Sequence, residues 1–204
     1  MIQSGKFDSL NMDIKKLANL VLIFTIRRLI EIIGVLIFCL GILLFVALVS
    51  YSPADPNFIY PENTEIKNLL GFQGSYISDL FFQSIGSVAY LIPLTYIFTA
   101  INIFRQKEIF LLIENTFYII LYILIGSSFF GYYFNDVFSP YVNGNGGFVG
   151  SYLNKTIIRD IFTLNKNIFY YIFIFLIISL FLKSINFKPK NFYQSIKKFL
   201  SFCL

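Results

Sequence analysis

From residue 29 to residue 50 the chain holds a single charged side chain, Glu31, in a run of Leu, Ile, Val, Phe and small residues. At about 1.5 Å per residue a helix over this run reaches about 33 Å, enough to cross a hydrocarbon core of roughly 30 Å. No water is available there to pair backbone N–H and C=O groups, so the run predicts a helix, which pairs them internally. Three further runs follow, at 80–104, 109–134 and 168–182. The last is short, and it reaches membrane length as 163–183 by borrowing interfacial residues such as Leu164 and Lys183. A chain that is 57% hydrophobic and 13% charged, with mean hydropathy +0.72, cannot hide that much apolar surface inside one soluble core of 204 residues. The fold class is therefore all-α: a polytopic membrane protein with four transmembrane helices.

Orientation follows from the basic residues. Twelve of the 16 Lys and Arg fall before span one, between spans two and three, or after span four, among them Arg27, Arg28, Arg105, Lys107 and Lys183. Lys67, Lys155, Arg159 and Lys166 make up the other side. The positive-inside rule then puts both termini in the cytoplasm. Tyr51, Tyr132, Tyr133, Tyr170 and Tyr171 fall at the outer ends of spans, where amphipathic rings favour the interface.

Residues 1–28 form a cytoplasmic N-terminal segment. It carries Asp8 and Asp13 and is too long for a cleavable signal. Leu10, Ile14, Leu17, Val21 and Phe24 share one helical face. Two readings stand open, an interfacial helix on the inner leaflet and an irregular lead-in. Residues 184–204 form a basic tail with interleaved aromatics, at the start of a linker; it reads as a topology-fixing flank, with lipid and nucleic acid as the other partners its charge would attract.

The outer loops carry the polar sequence. Ser78 and Asp79 precede an apolar run, and Asp79 reads as a helix cap rather than a catalytic acid. Pro93, interior to span two, predicts a kink. Gly146, Gly147 and Gly150 lack the glycine that a G-x-G-x-x-G dinucleotide loop needs at position 149, which is Val149, so they read as a tight packing turn. Gly34 and Gly41, with Gly86 and Gly126, predict close helix approach within the bundle. The sequence contains no G-x-x-x-x-G-K-[ST], so no motor is expected on this chain, and with no His the commonest metal ligand is missing. Cys39 and Cys203 imply no disulfide framework. Glu31 and Glu114, the carboxylates within spans, lie near the inner interface rather than at a midpoint. No catalytic, cofactor-binding or metal-ligating residue is assigned, and no cofactor is expected.

Three motifs occur in a fixed order: S-x-x-P-x-D-P at Ser50, Pro53, Asp55 and Pro56; G-x-x-G-x-x-x-x-D at Gly71, Gly74 and Asp79; and A-Y-x-x-P at Ala89, Tyr90 and Pro93. A G-G-x-x-G element follows at Gly146, Gly147 and Gly150. In this order, over residues 27–183, the chain resembles the N-terminal four-helix membrane domain of the FtsK/SpoIIIE-type DNA translocases. The resemblance implies a membrane anchor, in the bacterial inner membrane at the division septum, for a hexameric motor that serves cell division and chromosome partition. Its implied partners are lipid, other copies of the chain and division-machinery membrane proteins, with no direct nucleic-acid contact from the membrane domain. The motif residues would shape loops and helix ends that such partners touch. The alternatives are a stand-alone small membrane protein and a transporter or ion-conducting subunit.

Overall fold

The computed structural model describes residues 2–56, 65–134, 142–158 and 165–189, the side chains of residues 2–14 and of Ile157 excepted. Among the described residues every regular element is helical. Helix α1, Ile2–Val49, is unbroken over 48 residues, about 72 Å at the helical rise. The backbone runs without a turn through Arg27 and Arg28, and no glycine or proline lies between Gly5 and Gly34 to interrupt it. The helix stops where the Ser50 hydroxyl donates to the Val46 carbonyl (2.6 Å) and Pro53, which lacks an N–H, follows.

The second membrane segment covers Gly71–Gln106 in three pieces. These are α2, Gly71–Ile85; a 3-10 turn, Gly86–Tyr90; and α3, Leu91–Gln106. Its start is nine residues before the expected boundary at 80. Asn68 makes this entry, its side-chain oxygen accepting from the Leu70 N–H (3.1 Å) and its carbonyl from the Gly71 N–H (2.9 Å). The cap expected of Asp79 is thereby corrected: Asp79 lies inside α2, beyond the unpaired N–H groups of the first turn. The kink expected of Pro93 is relocated too. The break comes at Gly86, which takes φ +69°, and Pro93 sits in the first turn of α3, where a missing N–H costs nothing.

Helix α3 ends at Lys107, which adopts a left-handed φ of 59° and donates its N–H to Ile103 (2.8 Å). Helix α4, Phe110–Tyr133, starts three residues later and returns antiparallel. A short helix α5, Gly147–Leu153, continues into a π-helical turn, Asn154–Ile158. Helix α6, Lys166–Ser184, is capped by Asn165, whose side-chain oxygen accepts from the Ile168 N–H (3.2 Å).

Helix α1 packs on α3, α3 on α4, and α4 on α6. The glycines of α1 make the first contact close: a Cβ at Gly41 would meet Ile97 at 2.9 Å, and one at Gly34 would meet Ile103 at 3.4 Å. A buried apolar cluster, with Leu48, Phe82, Val88, Ala89 and Tyr122, surrounds the break in the second segment. Elsewhere large apolar side chains face outward, Leu40 at 65% exposure and Phe110 at 75%. Among the described residues four helical segments are long and apolar enough to cross a membrane, and in lipid such outward faces carry no hydration penalty.

Candidate interaction site at the polar end of the bundle

The exit of α1 and the entry of α2 are tied together by Asp55. Its side chain is 1% exposed, and its two carboxylate oxygens accept from the backbone N–H groups of Lys67 (2.9 Å) and Asn68 (2.8 Å). Asn68 donates onward to the Ala47 carbonyl at the end of α1 (2.9 Å). Ser50 accepts from the Leu69 N–H (3.2 Å), and Ser75 donates to the carbonyl of buried Pro56 (3.0 Å). Gly74 completes this joint, because a Cβ there would collide with the Asn68 side-chain oxygen. Gly71 needs its lack of a side chain for conformation alone, at φ +64° with nothing within 4 Å. Pro53 is exposed at the turn.

One turn deeper, buried Asp79 accepts from the Tyr51 hydroxyl (3.1 Å) and from Gln83 (3.3 Å). Tyr51 and Tyr90 both pack on Phe82, with ring centroids 4.8 Å and 5.1 Å away. Gln83 reaches the last loop, where its side-chain oxygen accepts from the Asn143 N–H (3.1 Å).

That loop is seated by glycine against backbone. A Cβ at Gly86 would fall on the Asn145 carbonyl, and a Cβ at Gly146 or Gly150 on the Ser127 carbonyl of α4. Gly147 takes φ +61° and lies so near the break that a Cβ would be 2.6 Å from the Gly86 nitrogen. The contact also carries hydrogen bonds: the Ser87 N–H donates to the Asn145 carbonyl (2.9 Å), and Ser127 donates to the Ile85 carbonyl (2.9 Å). The 3-10 break therefore exchanges helix hydrogen bonds for bonds to α4 and the α5 loop. Ala89 and Pro93 are buried beneath it.

The motif residues thus gather at one end of the bundle and are mostly interior. Around them stand exposed apolar side chains, Leu69, Phe72, Val142, Phe148 and Tyr152, all more than half exposed, among exposed polar ones such as Lys67, Gln73 and Asn143. Phe72 stacks on Tyr76 and Phe148 on Tyr152, with centroids 6.5 Å and 6.2 Å apart. Among the described residues no three His, Cys, Asp or Glu come together as a metal site. A rigid frame carrying exposed aromatics is suited to binding another protein or the lipid interface.

The opposite end is basic. Glu31 pairs with Arg28 (2.7 Å) and with Lys107 (2.6 Å), linking α1 to the α3–α4 turn. Glu114 is exposed, one turn into α4. A third polar group, unread in the sequence, joins the basic halves of α3, α4 and α6. Thr95 contacts the hydroxyls of Tyr122 (3.2 Å) and Ser184 (3.0 Å). Asn115 donates to Thr99 (2.8 Å) and to Asn186 (2.8 Å), and Asn102 donates to the Ile185 carbonyl (3.2 Å). Its signal was there to read: Thr95, Thr99 and Asn102 recur at helical spacing, as do Asn115 and Tyr122.

The model of the 4TM region of DNA translocase FtsK/SpoIIIE matches residues 26–190. A DNA translocase FtsK of Azospirillum brasilense is 34% identical over 88 residues, covering 42% of this chain and 14% of that protein. The DNA translocase FtsK of Rickettsia bellii (strain RML369-C) is 36% identical over 74 residues, covering 36% and 10% respectively. That of Pseudomonas putida is 33% identical over 66 residues, covering 32% and 8%. The chain thus spans a small fraction of the length of these relatives. No solved structure gives a significant match.

Proposed function

The chain belongs to the family of the 4TM region of DNA translocase FtsK/SpoIIIE, and from that premise we propose that it anchors a DNA-translocating motor in the bacterial inner membrane at the division septum. Its work there is binding, with no ATPase chemistry of its own, and it serves cell division and chromosome partition. Both termini are cytoplasmic. The basic end, with Arg27, Arg28, Arg105, Lys107 and Lys183, faces the cytoplasm, and the Asp55–Asp79–glycine end faces outward. Other copies of the chain, as a hexamer, and membrane proteins of the division machinery are its partners.

The observation that carries this reading is the use made of the family motifs. Asp55, Gly74, Asp79, Gly146, Gly147 and Gly150 are buried and spent on bracing one end of the bundle. Bracing lets Phe72 and Phe148 be presented without ordering a loop at the moment of contact. Transport finds no comparable support, because Glu31 is held by two cations near the basic end rather than exposed to a path through the bundle.

The test is the position of a fluorescently tagged copy in dividing cells, with Asp79→Ala and Phe148→Ser alongside and membrane insertion verified for each. A midcell band that Phe148→Ser abolishes supports recruitment through the outer end. Uniform membrane fluorescence from the inserted parent chain overturns it.

A further inference from the structure

At the basic end, α1 and α3 leave a groove between them. Its volume is about 190 Å³, and its lining is almost wholly apolar. Gly34 and Ala100, buried where α1 and α3 pack close, form the floor, and Phe38 and Phe104 flank it. Arg105 completes the lining. The other cations nearby are already engaged, Arg28 and Lys107 by Glu31, with the Lys107 ammonium also 4.1 Å from the centre of the Phe104 ring. Arg105 is exposed and has no ion pair among the described residues. Glu108, the nearest carboxylate in sequence beyond the turn, is not part of the lining.

We propose that this groove is a binding site for one anionic glycerophospholipid, with an acyl chain along Gly34 and Ala100 and the phosphate on Arg105. The geometry separates the two halves of such a molecule. Ala100 lies five residues before Arg105, so the floor is about 7.5 Å along the helix from the guanidinium-bearing residue, toward the hydrocarbon. A guanidinium is matched to a phosphate by its paired N–H donors, and it is weakly hydrated enough to leave water for one. The charge favours a lipid of net negative charge, because the ammonium of a zwitterionic headgroup would face Arg105 as a like charge. The site does not depend on which leaflet the basic end occupies.

The test uses the purified full chain in detergent, given equal amounts of phosphatidylglycerol and phosphatidylcholine with identical acyl chains, and counts retained lipid by native mass spectrometry. The expected result is a preference for phosphatidylglycerol of about fivefold, the factor that one basic residue near the surface supplies. Arg105→Gln brings the ratio to near one, and Ile101→Trp, which adds bulk at the groove wall, lowers retention of both lipids. Arg27→Gln, an exposed cation outside the lining, leaves the ratio unchanged. Absence of a preference in the parent chain overturns the site. So does an equal loss in Arg27→Gln, which would mean a diffuse basic surface, or a second copy of the chain occupying the groove in place of lipid.

Discussion

Replacing Asp55 by Ala removes both acceptors that hold the entry of α2 against the exit of α1. The Lys67 N–H belongs to an exposed residue and regains water, whereas the Asn68 N–H belongs to a residue 4% exposed and does not. A hydrogen bond to a charged group contributes about 1.5–3 kcal/mol, and a buried donor left unpaired costs about 1–3 kcal/mol. With one donor rehydrated, the expected loss is about 2–4 kcal/mol. For a domain of this size that is a fall in Tm of roughly 5–15 °C. Asp55→Asn keeps one acceptor oxygen and should lose about half as much. The assay is the temperature at which the detergent-solubilised monodisperse peak disappears, with Gln73→Ala on the exposed surface of α2 as the neutral comparison. If Asp55→Ala shifts no further than Gln73→Ala, the carboxylate does not brace this end and the reasoning fails.

The same thermal series separates two uses of glycine. Gly150→Ala drives a Cβ onto the Ser127 backbone and should cost about 1–3 kcal/mol; Gly71→Ala meets only the strain of a left-handed φ, about 1 kcal/mol. Asn115→Leu removes the donor to Thr99 and one of the two donors to Asn186, which keeps Asn102 at 3.4 Å, and should cost about 1–2 kcal/mol; an unchanged Tm would show that these groups find other partners. Glu31→Gln should lower Tm at low ionic strength and converge on the parent chain as salt screens the two pairs, so a difference that persists in high salt would contradict the surface character of this cluster.

Spans one, three and four were legible because lipid requires long apolar runs and little else in the chain resembles one. The start of span two was hidden for the opposite reason. Ser75, Ser78 and Asp79 are helical but turn toward protein rather than lipid, so a criterion built on apolar runs passes over them. Asp79 looked like a cap because Ser78-Asp79-Leu80 has a cap's local pattern; its partners are Gln83, four positions on along the same helix, and Tyr51, 28 positions away and beyond the reach of local reading. The packing use of the glycines followed from the loop's failure to match a nucleotide motif, whereas the collision of Gly146 and Gly150 with one carbonyl of α4 needed coordinates. The Thr95 and Asn115 network was visible as polar residues at helical spacing in apolar helices. Thr95, Tyr122 and Ser184 already join the three helices, and the Asn115 branch reaches past α6 through Asn186, whose left-handed φ of 52° no pattern announces.

An anchor of this kind needs the braced motif end of the bundle to meet the periplasm. Cys39 and Cys203 replaced by Ser leave a background for single reporters at exposed positions, Gln73→Cys at the motif end and Gln106→Cys at the basic end. A membrane-impermeant maleimide applied to intact spheroplasts should label Gln73→Cys at once and Gln106→Cys only after permeabilisation. Labelling of Gln106→Cys in intact spheroplasts, with Gln73→Cys protected, would place the braced end in the cytoplasm and contradict the anchor described above.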